Sequence, residues 1–232
     1  MKLFPILATA SVLALSASGA FAQNAFSGSV GATYIKAFDD SFDYQFQADG
    51  SLTYAISPAF SAQLDLGVTH YEGNSNSDID ATLHGIYGVN DNLDIGVFFA
   101  SNFGDFNNGV VGAEIGYRSG NLDLEAFFAA YVNNPGVNYN AGAKAGYIFD
   151  GVGSIPELEL YAGYAAEVYS SYTIDNPYIG VKMGVMDNVD VDIRYAPMEN
   201  NEYRYLSVGV SYNFGGGSRF TARDFNSTFP GY

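Results

Sequence analysis

The stretch from Phe42 to Ile56, FDYQFQADGSLTYAI, has an apolar or small residue at every second position. The residues between these positions are polar or acidic except for Ala55. A period of two is typical of a β-strand with one apolar and one polar face. No helical period runs through this stretch, so it predicts a strand.

Alternation of the same kind recurs until residue 214, which predicts an all-β chain. In the last of these segments, Leu206, Val208 and Val210 alternate with Ser207 and Gly209. We count twelve segments, near 25–36, 42–56, 60–72, 78–89, 93–103, 109–118, 122–132, 137–149, 157–169, 177–186, 189–198 and 202–214.

Short connections with turn residues separate the segments. Two of them, Asn90-Asp91-Asn92 and Asp187-Asn188, lie in a weak internal repeat in which residues 88–95 (GVNDNLDI) are echoed by residues 184–191 (GVMDNVDV). A hairpin that recurs with the same chemistry at one end favours up-and-down antiparallel connectivity.

Segment length and composition favour a membrane barrel over a soluble sandwich, although both alternate. The segments run about 10–13 residues, as tilted bilayer-spanning strands do. Only 15% of the residues are charged, and the 16% that are aromatic gather toward segment ends, where interfacial girdles lie in membrane barrels. The fold class predicted is therefore an up-and-down antiparallel transmembrane β-barrel of about 12 strands, with the soluble sandwich as the alternative.

Charge and composition exclude several functions. Nine Lys and Arg residues stand against 25 Asp and Glu residues, a net charge of −16, so nucleic acid is not an expected partner. The chain has no Cys, which excludes disulfides and thiolate metal sites. No Gly-rich phosphate loop and no metal-ligand spacing is present, so we expect no cofactor and no metal.

Residues 1–22 have the form of a secretory signal peptide. Lys2 gives a positive start, Leu3 to Leu15 is apolar or small, and Ala20-Phe21-Ala22 fits a small-x-small cleavage site. We therefore expect export from the cytoplasm, with residues 23–214 forming the barrel and residues 215–232 a periplasmic C-terminal tail.

The export signal, the even set of alternating strands and the terminal Val210-Ser211-Tyr212-Asn213-Phe214 resemble the Gram-negative outer-membrane β-barrel family, in particular its small porins. The resemblance covers residues 23–214. It implies the cell outer membrane as location, outer-membrane lipid and the barrel-assembly machinery as partners, and a passive channel for small hydrophilic solutes as function. In that family an aromatic residue usually closes the chain, whereas here eighteen residues follow Phe214. The oligomeric state is left open.

The polar phase of the strands predicts which charged residues line the pore. Acids outnumber bases there, and acidic rings concentrate cations, which predicts cation preference if the lumen is open. The alternative is that the carboxylates are neutralised by the bases or by hydrogen bonds across strands, and inward aromatic residues are able to fill the lumen. The predicted pore-lining acids are Asp65, Asp94, Asp123, Glu125, Glu159, Asp190 and Asp192, and the predicted pore-lining bases are Arg118, Lys144, Lys182, Arg194 and Arg204.

A non-conducting structural or adhesive barrel, acting through its external loops, is the alternative to a channel. An enzyme is not expected: the outer-membrane lipases of similar size need an outward Ser–His pair, and the nearest outward serine identified for His70 is Ser101, two strands away.

The tail combines a glycine-rich start, residues 215–217, with two basic residues, Arg219 and Arg223. We expect it to extend into the periplasm as a disordered segment, since chain ends usually fray. The alternative is that its positive charge draws it to the acidic mouth of the barrel, with Phe220 and Phe225 adding apolar contact.

Overall fold

The computed structural model describes residues 26–38, 44–72, 77–103, 109–132, 136–153, 155–198, 203–223 and 225. The predicted signal peptide and most of the predicted external loops lie outside these residues. Twelve strands are present: β1 (Phe26–Ala37), β2 (Tyr44–Ala55), β3 (Phe60–Tyr71), β4 (Ser77–Asn90), β5 (Leu93–Asn102), β6 (Gly109–Ser119), β7 (Leu122–Tyr131), β8 (Val137–Val152), β9 (Ile155–Tyr169), β10 (Thr173–Met186), β11 (Val189–Met198) and β12 (Tyr203–Phe214).

Each strand pairs antiparallel with its neighbours in sequence, and β1 pairs with β12, which closes the barrel. The prediction of twelve up-and-down strands is confirmed. The largest difference in bounds is at β10, which begins at Thr173 rather than at 177, because residues 173–176 pair with residues 165–168 of β9. A closed barrel leaves no edge strand, so the backbone groups of every strand find partners.

The short hairpin connections lie together at one end of the barrel, which we call the turn end; the opposite end is the loop end. Asn188 and Gly120 occupy left-handed positions there, with φ of 65° and 57°. The repeat noted in the sequence corresponds to two hairpins of the same geometry. The pairing shifts by one residue between Gly88 and Asn90 in one hairpin and between Gly184 and Met186 in the other.

The outer surface of the barrel is apolar. Alternate residues of the strands expose large hydrophobic side chains, which a water-soluble protein would bury. Aromatic pairs lie at both ends of this belt. The ring centres of Phe60 and Tyr87 are 4.9 Å apart at the turn end, and those of Tyr34 and Tyr44 are 5.8 Å apart at the loop end. The belt includes Leu64, Leu66, Ile79, Leu83, Val97, Phe99, Ile115, Phe128, Leu160, Ile179, Val208 and Val210.

In the described part of the chain, no helix is long and apolar enough to span a bilayer.

The inner surface differs between the two ends. Toward the loop end, inward aromatic and aliphatic side chains are buried and pack into one cluster. Toward the turn end, many of the inward side chains are charged or polar. The cluster includes Ile35, Phe98, Val110, Phe127, Tyr161, Tyr178 and Tyr205, together with Phe225 from the C-terminal tail.

Candidate functional site

The structure places eleven of the twelve predicted pore-lining residues on the inner wall of the barrel. Asp65, Asp123, Glu125 and Glu159 are buried there, and Asp94 contacts the tail. The others face the interior cavity: Arg118, Lys144, Lys182, Asp190, Asp192 and Arg194.

Arg204 is the exception, and its prediction as a pore-lining residue is wrong. Its side chain is exposed, whereas Tyr205 and Ser207 are buried. Because the faces of a strand alternate, Arg204 shares the outward register of Leu206 and Val208.

An ion-pair ladder crosses neighbouring strands near the turn end; we use this name for Arg118, Asp123, Lys144, Glu159 and Lys182. Arg118 Nε lies 3.0 Å from Asp123 Oδ1, and Lys144 Nζ lies 3.2 Å from Asp123 Oδ2. Lys182 Nζ lies 2.6 Å from Glu159 Oε2. The alternative in which bases neutralise the pore-lining carboxylates is therefore correct for Asp123 and Glu159.

A second polar group lies between β9, β10 and β11. The hydroxyl of Tyr161 donates to Asp192 Oδ2 at 2.6 Å and accepts from Arg194 Nε at 3.2 Å. The guanidinium of Arg194 also lies 5.1 Å from the ring centre of Tyr178. These contacts hold Arg194 against aromatic rings at the border between the charged region and the loop-end cluster.

The C-terminal tail turns back into the barrel. Gly215, Gly216 and Gly217 have φ of 60°, 98° and 84°, a backbone that residues with a side chain rarely adopt. A Cβ on Gly215 would collide with the carbonyl of Phe26 and lie 3.0 Å from Ser27 Cα. The three glycines thus form a defined reversal just after β12.

The described tail residues beyond this reversal enter the barrel: Arg219 is exposed at the mouth, and residues 220–223 and 225 lie inside. Arg223 and Phe220 are fully buried, with exposed fractions of 1% and 0%. The expectation of a frayed extension is therefore wrong for these residues, and the docked alternative holds, because the inner wall offers both carboxylates and room for aromatic rings. That the turn end faces the periplasm stays a prediction.

The tail binds a group of inward side chains that we call the tail socket: Gln63, Asp65, His84, Glu114 and Glu125. His84 lies between two carboxylates, with Nε2 2.7 Å from Asp65 and Nδ1 2.6 Å from Glu114. Glu114 and Glu125 both pair with the guanidinium of Arg223. Nearer the mouth, Arg219 pairs with Asp94 at 3.0 Å.

Gln63 and Glu114 are not among the residues predicted to line the pore. Both lie in the inward register that the alternation predicts, so their orientation was available from the sequence. Their role was not available, since it depends on a segment more than a hundred residues away along the chain.

An open cavity of about 690 Å³ remains beside the tail. Most of its lining residues belong to β1, β2 and β8–β12, with a few from β3, β4, β6 and β7, whereas the tail contacts the wall formed by β3–β7. Nine carboxylates and five basic residues line it. The acids are Asp49, Asp65, Asp80, Asp123, Glu157, Glu159, Asp187, Asp190 and Asp192, and the bases are Arg118, Lys144, Lys182, Arg194 and Arg223.

His70 has a closer hydroxyl partner than the sequence indicated. Its Nδ1 lies 3.3 Å from the Oγ of Ser77, which begins β4 one residue before the predicted segment. Among the described residues no carboxylate contacts this imidazole, and no group of three His, Asp or Glu side chains is arranged to hold a metal ion.

Comparison with solved structures identifies the architecture. A KdgM porin superposes with a TM-score of 0.59 at 11% sequence identity, covering 80% of this chain and 99% of that chain. A NanC porin superposes with a TM-score of 0.59 at 8% identity, covering 79% and 98%. An outer-membrane channel from Pseudomonas putida F1, of the COG4313 group, gives 0.50 at 12% identity, covering 84% and 97%.

No protein-family model matches the sequence, and no curated protein matches it. The structural similarity concerns the barrel. Together with the apolar belt, it shows that this chain is a β-barrel of the outer-membrane porin fold.

Proposed function

We propose that the protein is a porin-like channel of the outer membrane that passes small hydrophilic solutes and prefers cations. The observation that carries the proposal is a cavity of about 690 Å³ inside the closed barrel, which has a charged wall on one side and the tail on the other. A barrel that served only as a scaffold would have no need of ionisable groups facing an open interior space.

Cation preference is supported by the excess of carboxylates on that wall. The bases of the ladder neutralise Asp123 and Glu159. Asp190 and Asp192 differ because they also accept hydrogen bonds from neutral side chains. Asn213 Nδ2 donates to Asp190 at 2.8 Å, and the hydroxyl of Tyr161 donates to Asp192. Both carboxylates line the cavity, and a negative wall raises the local concentration of cations.

The second candidate is a non-conducting structural or adhesive barrel. The loop-end cluster favours it, because Tyr161, Tyr178 and Tyr205 are buried and pack across that end of the lumen. In the channel proposal, this cluster together with Phe225 is the narrow part of the pathway.

Recording single channels in planar bilayers separates the two candidates. Purified, folded full-length protein and its Arg223→Gln variant are each inserted under a salt gradient. The channel proposal predicts stepwise currents and a reversal potential whose sign shows that cations are more permeant than anions. Silence from both proteins, when a heat-modifiable gel shift shows that they are folded, would exclude the channel and favour the structural barrel.

A further inference from the structure

The tail socket recognises its occupant in detail. We propose that this socket is a binding site for a peptide carrying an arginine flanked by phenylalanines, that residues 219–223 and 225 are its resident ligand, and that exchange of this ligand widens the open part of the lumen. Only the last part rests on the proposed channel function.

The arginine is recognised by charge and by shape. Arg223 Nε donates to Glu114 Oε2 at 3.1 Å, and its Nη2 donates to Glu125. The guanidinium lies 4.7 Å from the ring centre of Phe127. Two carboxylates and a ring face suit a flat, forked cation, whereas the ammonium of lysine is a point charge. The side chain of Arg223 is fully buried, so these contacts replace all of its water.

The first phenylalanine occupies a space that two glycines leave open. A Cβ on Gly96 or on Gly116 would lie 3.1 Å from the ring of Phe220. The same ring stacks on His84, with ring centres 6.5 Å apart and planes 12° apart. Larger inward residues at these two wall positions would displace the ring, so the wall matches the ligand.

The second phenylalanine joins the loop-end cluster. The ring of Phe225 stacks on Phe98 with centres 5.6 Å apart, and it meets the edge of Phe127 at 5.9 Å. Phe225 therefore links the bound tail to the narrow part of the lumen, which is why leaving the socket would also loosen that end.

The wall also binds the backbone of the tail. Gln63 Oε1 accepts from the amides of Arg219 and Phe220 at 3.0 and 3.2 Å, and Gln63 Nε2 donates to the Phe220 carbonyl at 3.0 Å. The amide of Thr221 donates to Glu125 Oε2 at 3.2 Å. Backbone and side-chain contacts together define one register for the peptide.

The ligand is held without a covalent bond to the wall, since the chain has no cysteine. Its only covalent connection is through Gly215–Gly217. Asp65 of the socket borders the open cavity, so water is able to enter the socket from there when the tail leaves. The empty socket is thus an accessible, acidic groove, and a peptide of the same sequence is able to enter it.

The test uses the full chain and a synthetic peptide of residues 215–225 with a fluorescent label. Arg223→Gln empties the socket, whereas Arg204→Gln makes the same charge change on the outer face. We expect the Arg223→Gln protein to bind the labelled peptide at least about tenfold more tightly than the wild type or Arg204→Gln, a difference of about 1.4 kcal/mol. A peptide in which Arg223 is replaced by Gln should bind none of the three proteins. Equal binding of both peptides by the Arg223→Gln protein would overturn the proposal.

Limited trypsin digestion of the same folded proteins gives a readout that needs no added peptide. We expect cleavage after Arg219 to be slow in the wild type and in Arg204→Gln, at least about tenfold faster in Arg223→Gln, and intermediate in Arg223→Lys, which keeps the charge but not the fork. Equal cleavage rates in all four proteins would overturn the proposal.

Conductance then tests the last part of the proposal. We expect the bound peptide to reduce the current through the Arg223→Gln protein to the wild-type level, and currents that the bound peptide leaves unchanged would overturn the gating role. If no protein conducts while the binding and cleavage patterns hold, the peptide site stands and the channel function fails.

Discussion

Arg223 Nε of the tail donates a hydrogen bond to Glu114 Oε2 of β6 at 3.1 Å, although 109 residues separate the two along the chain. Both side chains are completely buried. A buried charge is stable only when it is paired, so each of these residues needs the other. The contact holds the tail in the lumen beside the open cavity.

The apolar belt predicts how the barrel responds to a charge on either face of one strand. Val210 is about half exposed on the outer surface, and the next residue, Ser211, borders the cavity. Val210→Arg should lower the free energy of unfolding by about 2–4 kcal/mol if it lies near mid-bilayer, because the guanidinium would face lipid. Ser211→Arg should cost much less, since its charge faces water and acids.

Urea unfolding in lipid vesicles measures both variants. Equal losses of stability at the two positions would mean that the assignment of outward and inward faces on β12 is wrong.

The excess of carboxylates predicts the ion selectivity. Replacing Asp190 and Asp192 together by Asn should shift the reversal potential toward zero, most strongly at low salt, where screening is weakest. Asp175→Asn is the matched control, because Asp175 is exposed in the outward register of β10 and bonds to Tyr164. A shift as large for the control as for the double variant would show that these two acids do not set the selectivity.

Much of the fold could be predicted from the sequence, because a strand that faces lipid on one side and water on the other must alternate. The twelve segments and the inward register of Asp123 and Glu125 follow from that period, and the repeated hairpin indicates the up-and-down connectivity. Arg204 was misplaced although its neighbours Leu206 and Val208 are outward, so the pattern contained the correct assignment.

The position of the tail could not be predicted in this way. Residues 218–225 do not alternate, and their contacts depend on which inward residues of β3–β7 come together when the barrel closes. Charge complementarity predicts that the tail lies at the acidic mouth of the barrel, and Arg219 does contact Asp94 there. The deeper site of Arg223 depends on Glu114, a residue that alternation marks only as inward.

The glycine reversal predicts that Gly215 tolerates substitution poorly for two reasons. Its backbone is left-handed, and its surroundings leave no space for a side chain. Gly120 and Gly215 have nearly the same φ, 57° and 60°, but a Cβ on Gly120 meets nothing within 4 Å. Gly120→Ala should therefore cost about 1–2 kcal/mol, the left-handed penalty alone. Gly215→Ala adds a collision with the backbone of β1, so it should also release the tail.

Trypsin cleavage after Arg219 and Arg223 reports release directly. Tail cleavage that is equally slow in Gly215→Ala and Gly120→Ala would contradict the role given to the reversal.

The central claim is that the open pathway runs beside the tail and not between the tail and the wall that it covers. Single cysteine substitutions test this most directly, because the chain has no cysteine of its own. Ser211 borders the cavity, whereas Thr82 is buried under the tail and donates to the Arg223 carbonyl at 2.9 Å. A water-soluble thiol reagent should modify Ser211→Cys quickly and reduce its current, and should modify Thr82→Cys only when Arg223→Gln is also present. Equal modification of the two cysteines in the otherwise unchanged protein would contradict the claim.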